Sequence, residues 1–129
     1  MTVYQDKYYA VEVDESTRLL SFIWEENHPE VTNKLFVAAC CNFIGYGFEY
    51  RSDKIFIDTM NFTYVPTQEF YHWQKTVHHD RYRKLGIKKV AYILPEQYVE
   101  QLNNQPQDDA GFVTKYFSNE GNAKEWLFN

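Results

Sequence analysis

Three histidines on one predicted helix are the residues of this sequence that most invite a metal or acid-base site. His72 and His79 fall on the same side of that helix but about 10 Å apart along its axis, which is too far for two ligands of one ion. His78 points about 100° away, toward the apolar half, and no pair has the i, i+4 spacing of a helical zinc site. We therefore expect no metal site, with His72 and His79 in solvent and His78 at the boundary of the apolar face. The alternative is that the histidines bind an anion together with Lys75 and Arg83.

The residue patterns of nucleophilic and nucleotide-dependent enzymes are missing from the sequence. It has no Gly-x-Ser-x-Gly segment, no Gly-x-Gly-x-x-Gly segment and only 5 glycines, so neither a serine nucleophile on a sharp turn nor a phosphate-binding loop is predicted. Cys40 and Cys41 lie in the most apolar part of a predicted helix and are expected to be small buried core residues. We therefore predict no catalytic residues and no cofactor, and the chain is not expected to be an enzyme.

The stretch KIFIDTMNFTYVPTQEF, residues 54–70, predicts a buried strand, a short loop and the start of a helix. In open α/β sheets, such a junction at the carboxyl end of a strand is the usual position of a binding site. Asp58 ends the strand, where its carboxylate either accepts backbone hydrogen bonds from the loop or takes part in a site. Thr67 begins the helix, either as its N-cap or as an exposed hydroxyl at the positive helix end that tolerates an added phosphate. The candidate binding or regulatory residues are Asp58, Thr59, Asn61, Tyr64 and Thr67.

Strands and helices alternate along most of the chain and predict an α/β fold. Two β-rich runs with a polar turn between them predict an opening antiparallel hairpin, and the later apolar runs are typical of buried parallel strands. The expected strands are residues 8–13, 18–24, 54–59, 89–94 and 112–117. Helices between them give the order β-β-α-β-α-β-α-β-α, which is a mostly parallel five-stranded sheet with an antiparallel N-terminal hairpin and helices on the sheet faces. Residues 1–129 are expected to form a single domain.

The expected helix boundaries depend on proline, glycine and capping residues. Pro29 suits the first turn of a helix capped by one of the two residues before it, and that helix is expected to end at Gly45 and Gly47. A second helix is expected to run from about Thr67 to the residue before the next glycine. In the terminal helix, Asn122 has capping-box spacing to the glutamate three residues later. The polar loop at residues 103–109 is expected to be the most mobile internal segment.

Composition narrows the classes of partner. The 129 residues include 13 basic and 18 acidic side chains, a net charge of −5 without a basic block, so nucleic acid is not an expected partner. No apolar run predicts a membrane span, the N-terminus lacks a signal-peptide pattern, and 2 adjacent cysteines offer no disulfide framework, so we expect a cytoplasmic protein. The 11 Tyr, 10 Phe and 3 Trp predict a core filled with rings or, as the alternative, an aromatic-lined pocket or an exposed patch.

Five segments together resemble the small bacterial SpoIIAA-like proteins, a family similar to STAS and SEC14 domains. They are the hairpin, the helix after HPE, the strands KIFIDT and IKKVAYILPE, and the ending FVTKYFSNEGNAKEWL, and they cover nearly the whole chain. In STAS domains of anti-sigma-factor antagonists, an LDL-like strand end is followed by a loop and by Asp-Ser-Ser-Gly-Leu at a helix start, where a partner kinase phosphorylates a serine. Laid on this chain without gaps, Asp58 matches the strand aspartate and Thr67 the phosphorylated serine. Pro66 replaces the aspartate of that motif, and residues 68–70 replace Ser-Gly-Leu.

This resemblance implies a non-enzymatic regulatory or protein-interaction module that acts through residues 59–70. A protein partner or a symmetric homodimer is the expected assembly. The SEC14 side of the resemblance implies the alternative, a carrier of a small apolar or aromatic ligand. A cavity in the core would favour the carrier, and a solid core with an exposed aromatic patch near Tyr64 would favour the module.

Overall fold

The protein folds as one mixed sheet flanked by helices, and the computed structural model describes residues 1–26, 30–62, 64–105 and 111–129. The strands are β1 (Thr2–Gln5), β2 (Tyr9–Asp14), β3 (Leu19–Trp24), β4 (Lys54–Asp58), β5 (Lys89–Ile93) and β6 (Val113–Phe117). The helices are α1 (Asn33–Tyr50), α2 (Gln68–Trp73), α3 (His79–Leu85), α4 (Glu96–Asn103) and α5 (Glu120–Phe128), with a π-helical segment at Gln74–His78. The cap expected before Pro29, Pro29 itself and most of the loop expected at residues 103–109 lie outside the described residues.

The six strands follow one another in the sheet in the order of the sequence, β1-β2-β3-β4-β5-β6. β1, β2 and β3 pair antiparallel, and β3 to β6 pair parallel, with Leu19 opposite Lys54 and Lys54 opposite Lys89. This confirms the predicted α/β fold with an antiparallel N-terminal part. The predicted number of five strands is wrong by one, because β1 adds four residues along the edge of β2. Its two middle side chains are half-buried and its ends exposed, which is too short a pattern to predict a strand.

Alternate side chains of each strand point to opposite faces of the sheet, and each face has its own core. We call first face the side that α1, α2 and α3 cover, and second face the side that α5 covers. The first-face core contains Val11, Leu20, Phe22, Ile55, Ile57 and Val90 from the strands and Ala39, Phe43, Phe70 and Tyr82 from the helices. The second-face core is smaller and contains Leu19, Phe56, Ala91, Ile93, Ala123 and Leu127.

The order of the strands affects the expected site. Binding crevices in open α/β sheets form where the strand order reverses. Within the described sheet the order increases without a reversal, so the junction after β4 lacks a crevice of that origin. A site at residues 59–70 therefore has to be judged from its own side chains.

The helix α1 is longer than its glycines predict. It begins at Asn33 with the Thr32 hydroxyl as N-cap and continues through both glycines to Tyr50, where Arg51 takes the left-handed conformation at φ 54°. Gly47 lies where α1 comes close to both the sheet and α3, because a Cβ there would lie 3.0 Å from Leu20 Cδ2 of β3 and 2.9 Å from Leu85 Cδ2 of α3. The expected end at Gly45 and Gly47 is therefore wrong: Gly47 makes room for neighbouring side chains instead of ending the helix.

The second expected helix is confirmed in extent. It runs without interruption from Gln68, after the Thr67 cap, to Leu85, and Gly86 ends it at φ 89°. Its middle turn is a π-helix, which widens the turn by one residue. The terminal helix α5 begins earlier than expected, because the Asn119 side chain, not that of Asn122, accepts the capping hydrogen bond.

The strand β6 has an outer edge that α4 partly covers. The Asn103 side chain, at the end of α4, donates from Nδ2 to the Tyr116 carbonyl at 2.9 Å. Its Oδ1 accepts from the Tyr116 amide, also at 2.9 Å. One side chain thus pairs with both backbone groups of a strand residue.

Candidate functional site

The first two candidate residues, Asp58 and Thr59, are engaged by the backbone around them. Asp58 Oδ1 accepts a hydrogen bond from the Met60 amide at 3.0 Å. The Thr59 amide and hydroxyl both donate to the Ile93 carbonyl, at 2.9 and 2.8 Å. Both side chains therefore fasten the beginning of the loop to the ends of β4 and β5, which is the structural alternative expected for Asp58.

Aromatic rings hold the middle of the loop against the first face. The Phe62 ring stacks on Trp24 of β3 with 4.3 Å between the centroids and lies 5.7 Å from Phe36 of α1. Tyr64 meets the Phe36 ring edge to face at 5.5 Å and remains half-buried. Asn61 between them is exposed. The Phe62 ring thus holds the loop on the first face, while the Tyr64 side chain is partly exposed to solvent.

Thr67 joins the starts of two helices. Its hydroxyl oxygen accepts from the Phe70 amide at 3.1 Å, which makes it the N-cap of α2. The same hydroxyl donates to Oδ1 of Asn33, the first residue of α1, at 3.1 Å. The Thr67 side chain is nonetheless exposed. It is therefore both the predicted N-cap and an accessible hydroxyl placed between two helix N-termini.

An exposed apolar surface adjoins this hydroxyl. Val65 is 79 % exposed and Tyr71, in the first turn and a half of α2, is 51 % exposed. The Tyr71 ring contacts the buried Phe70 ring at 5.8 Å, and partial burial raises the pKa of the Tyr71 phenol. We call Tyr64, Val65 and Tyr71 the loop patch. Exposed apolar side chains near Thr67 in sequence are the distinguishing feature of this surface.

The histidine expected at the boundary of the apolar face is wholly buried. His78 ends the π-helical segment, is 1 % exposed, and stacks on Trp73 at 5.3 Å between ring centroids. Burial, helped by the nearby His79 and Arg81, lowers its pKa to about 3, so the ring is neutral at pH 7. His79 is half-buried and meets the Phe112 ring at 5.1 Å, whereas His72 is exposed as expected. The expectation for His78 and His79 is thus corrected, because the widened turn and Phe112 bring both rings inward.

Chemically, the site offers hydrogen bonds and apolar contact. No hydrogen bond joins Asp58 to Thr67 among the described residues, and each has its own backbone partner. Sequence reasoning missed Asn33, Phe36 and Phe62. Nothing in the spacing of Asn33 and Thr67 could have paired them, since 34 residues separate them. An aromatic residue inside a polar loop was the one available signal for Phe62.

Within residues 1–26, 30–62, 64–105 and 111–129, no cluster of three or more His, Cys, Asp or Glu side chains is placed to hold a metal ion. In the same ranges, none of the helices has both the length and the hydropathy needed to cross a bilayer. Compared with protein-family models, curated proteins and solved structures, the chain has no match in any of the three.

Proposed function

We propose that this chain is a non-enzymatic protein-interaction module, resembling STAS domains, whose contact surface is the loop patch and whose regulated residue is Thr67. The observation that carries the proposal is the Thr67 hydroxyl, which is exposed and yet bonded both to Phe70 and to Asn33. A modification of this one oxygen atom would alter hydrogen bonds at the starts of α1 and α2, next to the loop between β4 and α2. The aspartate and serine positions of the STAS motif fall on Asp58 and on this threonine.

The proposed regulation is a local electrostatic change. Phosphorylation would replace the hydroxyl hydrogen that Thr67 donates to Asn33 and would add a charge of about −2 beside two helix N-termini. The helix ends favour that charge, while the bond to Asn33 is lost. The loop patch would then change its position relative to α1, and its affinity for a partner protein would change with it.

The partner is proposed to be another protein that buries Val65 and Tyr71. Rings fill the first face in continuous contact, from Tyr4 through Tyr9, Trp24, Phe36, Phe70, Trp73 and His78 to Tyr82. This packing supports the module over a carrier that holds its ligand inside the core. A second copy of the chain is the alternative occupant of the patch.

A carrier remains the second candidate because of one groove outside the core. It lies between the β1–β2 hairpin and α1, has a volume of about 310 Å³, and is lined by Tyr4, Tyr9, Leu35 and Asn42 among others. That volume is at the lower end of small-molecule sites, and the groove is open to solvent. A small aromatic ligand lying in this groove against the tyrosine side chains of its wall is the form of carrier that this groove supports.

Mass measurement of the protein from its own host separates these functions. A phosphate retained under denaturing conditions and mapped to Thr67 would support the regulated module. Extra mass that is lost on denaturation would support the carrier, and a native mass of two chains would identify a homodimer. Unmodified single chains under all growth conditions would remove regulation at Thr67 from the proposal.

The contact surface is tested by photo-cross-linking in the host. A photoreactive phenylalanine analogue at position 65 should capture a specific protein, whereas the same analogue at Phe48, an exposed site on α1, should not. Thr67→Asp and Thr67→Asn both preserve an N-cap and differ in charge alone. Capture that is changed by Asp and not by Asn supports the switch, and equal capture from positions 65 and 48 would argue against the loop patch.

A further inference from the structure

The amino ends of the parallel strands form a surface on which charges of opposite sign are separated. Leu19, Lys54 and Lys89 are at the same level in β3, β4 and β5, because the register pairs Leu19 with Lys54 and Lys54 with Lys89. The residues that precede these three therefore lie together at this end of the sheet. The loop patch follows the carboxyl end of β4, so the two surfaces are at opposite ends of the strands.

The turn between β2 and β3 forms the acidic side of this surface. Asp14 and Glu15 are exposed, and Glu15 forms no ion pair with any residue that the structure describes. The Ser16 hydroxyl and amide donate to Asp14 Oδ1 at 2.6 and 3.1 Å, which lowers the pKa of the Asp14 carboxyl and keeps it anionic. The Met1 ammonium lies nearby and donates to the Val13 carbonyl at 3.1 Å. The hairpin tip therefore presents two carboxylates to solvent.

The loops before β4 and β5 form the basic side. Asp53 is paired twice, since Lys54 Nζ lies 2.8 Å and Arg18 Nη1 lies 3.4 Å from its carboxylate oxygens. Arg51 and Lys88 are exposed, and neither side chain forms an ion pair within the described part of the chain. Two strand spacings, about 10 Å, separate β5 from β3 and its acidic turn. Two cations thus remain available beside the hairpin tip.

An exposed aromatic ring lies between the two sides. Phe128, at the end of α5, is 47 % exposed. It lines the cavity that also contacts Asp14 and Glu15, and it lines the cavity that contacts Lys54 and Lys88. Because it borders both cavities, it separates the carboxylates from the cations. A large apolar side chain surrounded by polar groups is the usual centre of a protein interface.

The surface is complementary to itself. A two-fold axis normal to the sheet and close to Phe128 places the acidic side of one copy on the basic side of the other, and the reverse. A different protein of a single charge would match only one of the two sides. The chain has a net charge of −5, so two copies repel one another unless local complementarity of this kind opposes the repulsion.

We propose that this surface binds a second copy of the chain, with Asp14 and Glu15 of each copy against Arg51 and Lys88 of the other and the two Phe128 rings in contact. The interface does not depend on the function proposed above, and it leaves both loop patches accessible at the far ends of the dimer. Because exposed ion pairs contribute little each and are screened by salt, we expect a weak dimer that dissociates at high salt.

The test is sedimentation equilibrium of the intact chain at concentrations up to about 0.5 mM, in about 50 mM and about 1 M salt. We expect a monomer–dimer equilibrium at low salt and at least about tenfold weaker association at high salt. Glu15→Lys and Lys88→Glu should each weaken association at low salt at least about tenfold, because each change makes two attractive contacts of the symmetric dimer repulsive. An equimolar mixture of the two variants should restore it, since each contact then joins a lysine to a glutamate.

Two control variants separate this interface from others. Glu100→Lys makes the same change of charge at an exposed position of α4 and should associate as the natural chain does. Val65→Ser, in the loop patch, should also leave association unchanged. Urea unfolding of each variant checks that the fold is intact.

Three results would overturn the proposal. They are a monomer at every concentration, association that strengthens at high salt, and a mixture of Glu15→Lys with Lys88→Glu that associates no better than either variant alone. A dimer that Val65→Ser abolishes and that both charge variants retain would transfer self-association to the loop patch.

Discussion

The two faces of the sheet differ in how completely helices cover them. Two helical runs cover the first face, and its rings pack into a continuous core. The second face has one short helix, a core of six residues and a groove between the β2–β3 hairpin and α5 that is lined by Glu12, Asp14, Glu15 and Lys124 among others. The first face therefore holds most of the stabilising apolar burial, while the second face keeps polar groups that contribute little to stability. Substitutions that compare the two faces test this division.

The largest difference is expected for phenylalanine truncation. Phe43 is 0 % exposed and stacks on Phe22 at 4.4 Å between centroids. Phe43→Ala should lower the free energy of unfolding by about 3–5 kcal/mol, because it removes buried apolar area and leaves a cavity. Phe128→Ala, at the rim of the second-face groove, should cost less than about 1 kcal/mol, as surface changes do. Urea unfolding of both variants measures the contrast, and similar losses would contradict the division between faces.

The pH dependence of stability isolates one first-face residue. The pKa of His78 is near 6.5 in the unfolded chain and about 3 when folded, so the unfolded state binds the proton first as pH falls. The stabilising effect of the neutral ring is present in full above pH 6.5 and is lost progressively from there toward pH 3. His78→Phe keeps a ring against Trp73 and cannot titrate.

Between pH 7 and pH 5, the free energy of unfolding of the natural chain should fall by about 2 kcal/mol more than that of His78→Phe. Urea unfolding at pH 7, 6 and 5 measures it. Parallel pH profiles of the two proteins would mean that His78 is accessible to protons in the folded state.

The two glycines of α1 test how tightly the helix contacts the first face. A Cβ at Gly47 would lie 2.9 Å from Leu85 Cδ2 and 3.0 Å from Leu20 Cδ2, and Leu20 is fully buried. Gly47→Ala should therefore lower the free energy of unfolding by about 1–2 kcal/mol through overpacking. Gly45 has no atom within 4 Å of such a Cβ, so Gly45→Ala should raise stability by up to about 1 kcal/mol. Thermal unfolding of the pair gives the result, and stabilisation by both changes would show a looser contact.

The smallest effect concerns the two helix caps. Thr32 and Thr67 are exposed threonines that cap α1 and α2 in the same way, but only Thr67 also donates to Asn33. Each change to Ala should cost about 1 kcal/mol. The excess cost at Thr67 should be a few tenths to about 1 kcal/mol and should disappear in an Asn33→Ala background, as a double-mutant cycle reveals. If the extra cost of Thr67→Ala persists in the Asn33→Ala background, the hydrogen bond between Thr67 and Asn33 is not its cause.

Local patterns predicted most of the fold, and the misses have identifiable causes. Apolar runs placed β2 to β6, and Thr67 and Gly86 were correctly expected at the ends of the long helix. β1 was missed because its pairing with β2, rather than its own four residues, makes it a strand. Gly47 was misjudged because its role depends on Leu20 and Leu85, which are distant in sequence.

The sequence predicted where the candidate site lies, but it did not predict which residues contact one another there. The strand end and the helix cap follow from Asp58 and Thr67 alone. The bond from Thr67 to Asn33 and the ring contacts of Phe62 require the tertiary fold. The second-face groove was not expected at all, since it joins residues of the hairpin to Lys124, more than a hundred positions later.

The amide of Asn103 has a consequence for how copies of this chain behave at high concentration. A side-chain amide offers the same donor and acceptor as a peptide group, and here it occupies both groups of Tyr116 on β6. An open strand edge is a template on which another chain can add a strand and begin a fibril. Val113 on the same strand is 52 % exposed and would favour such addition, whereas the neighbouring Lys115 opposes it by its charge. Because Asn103 occupies both backbone groups of Tyr116, a strand of another chain could not pair at this position of the edge without displacing the amide.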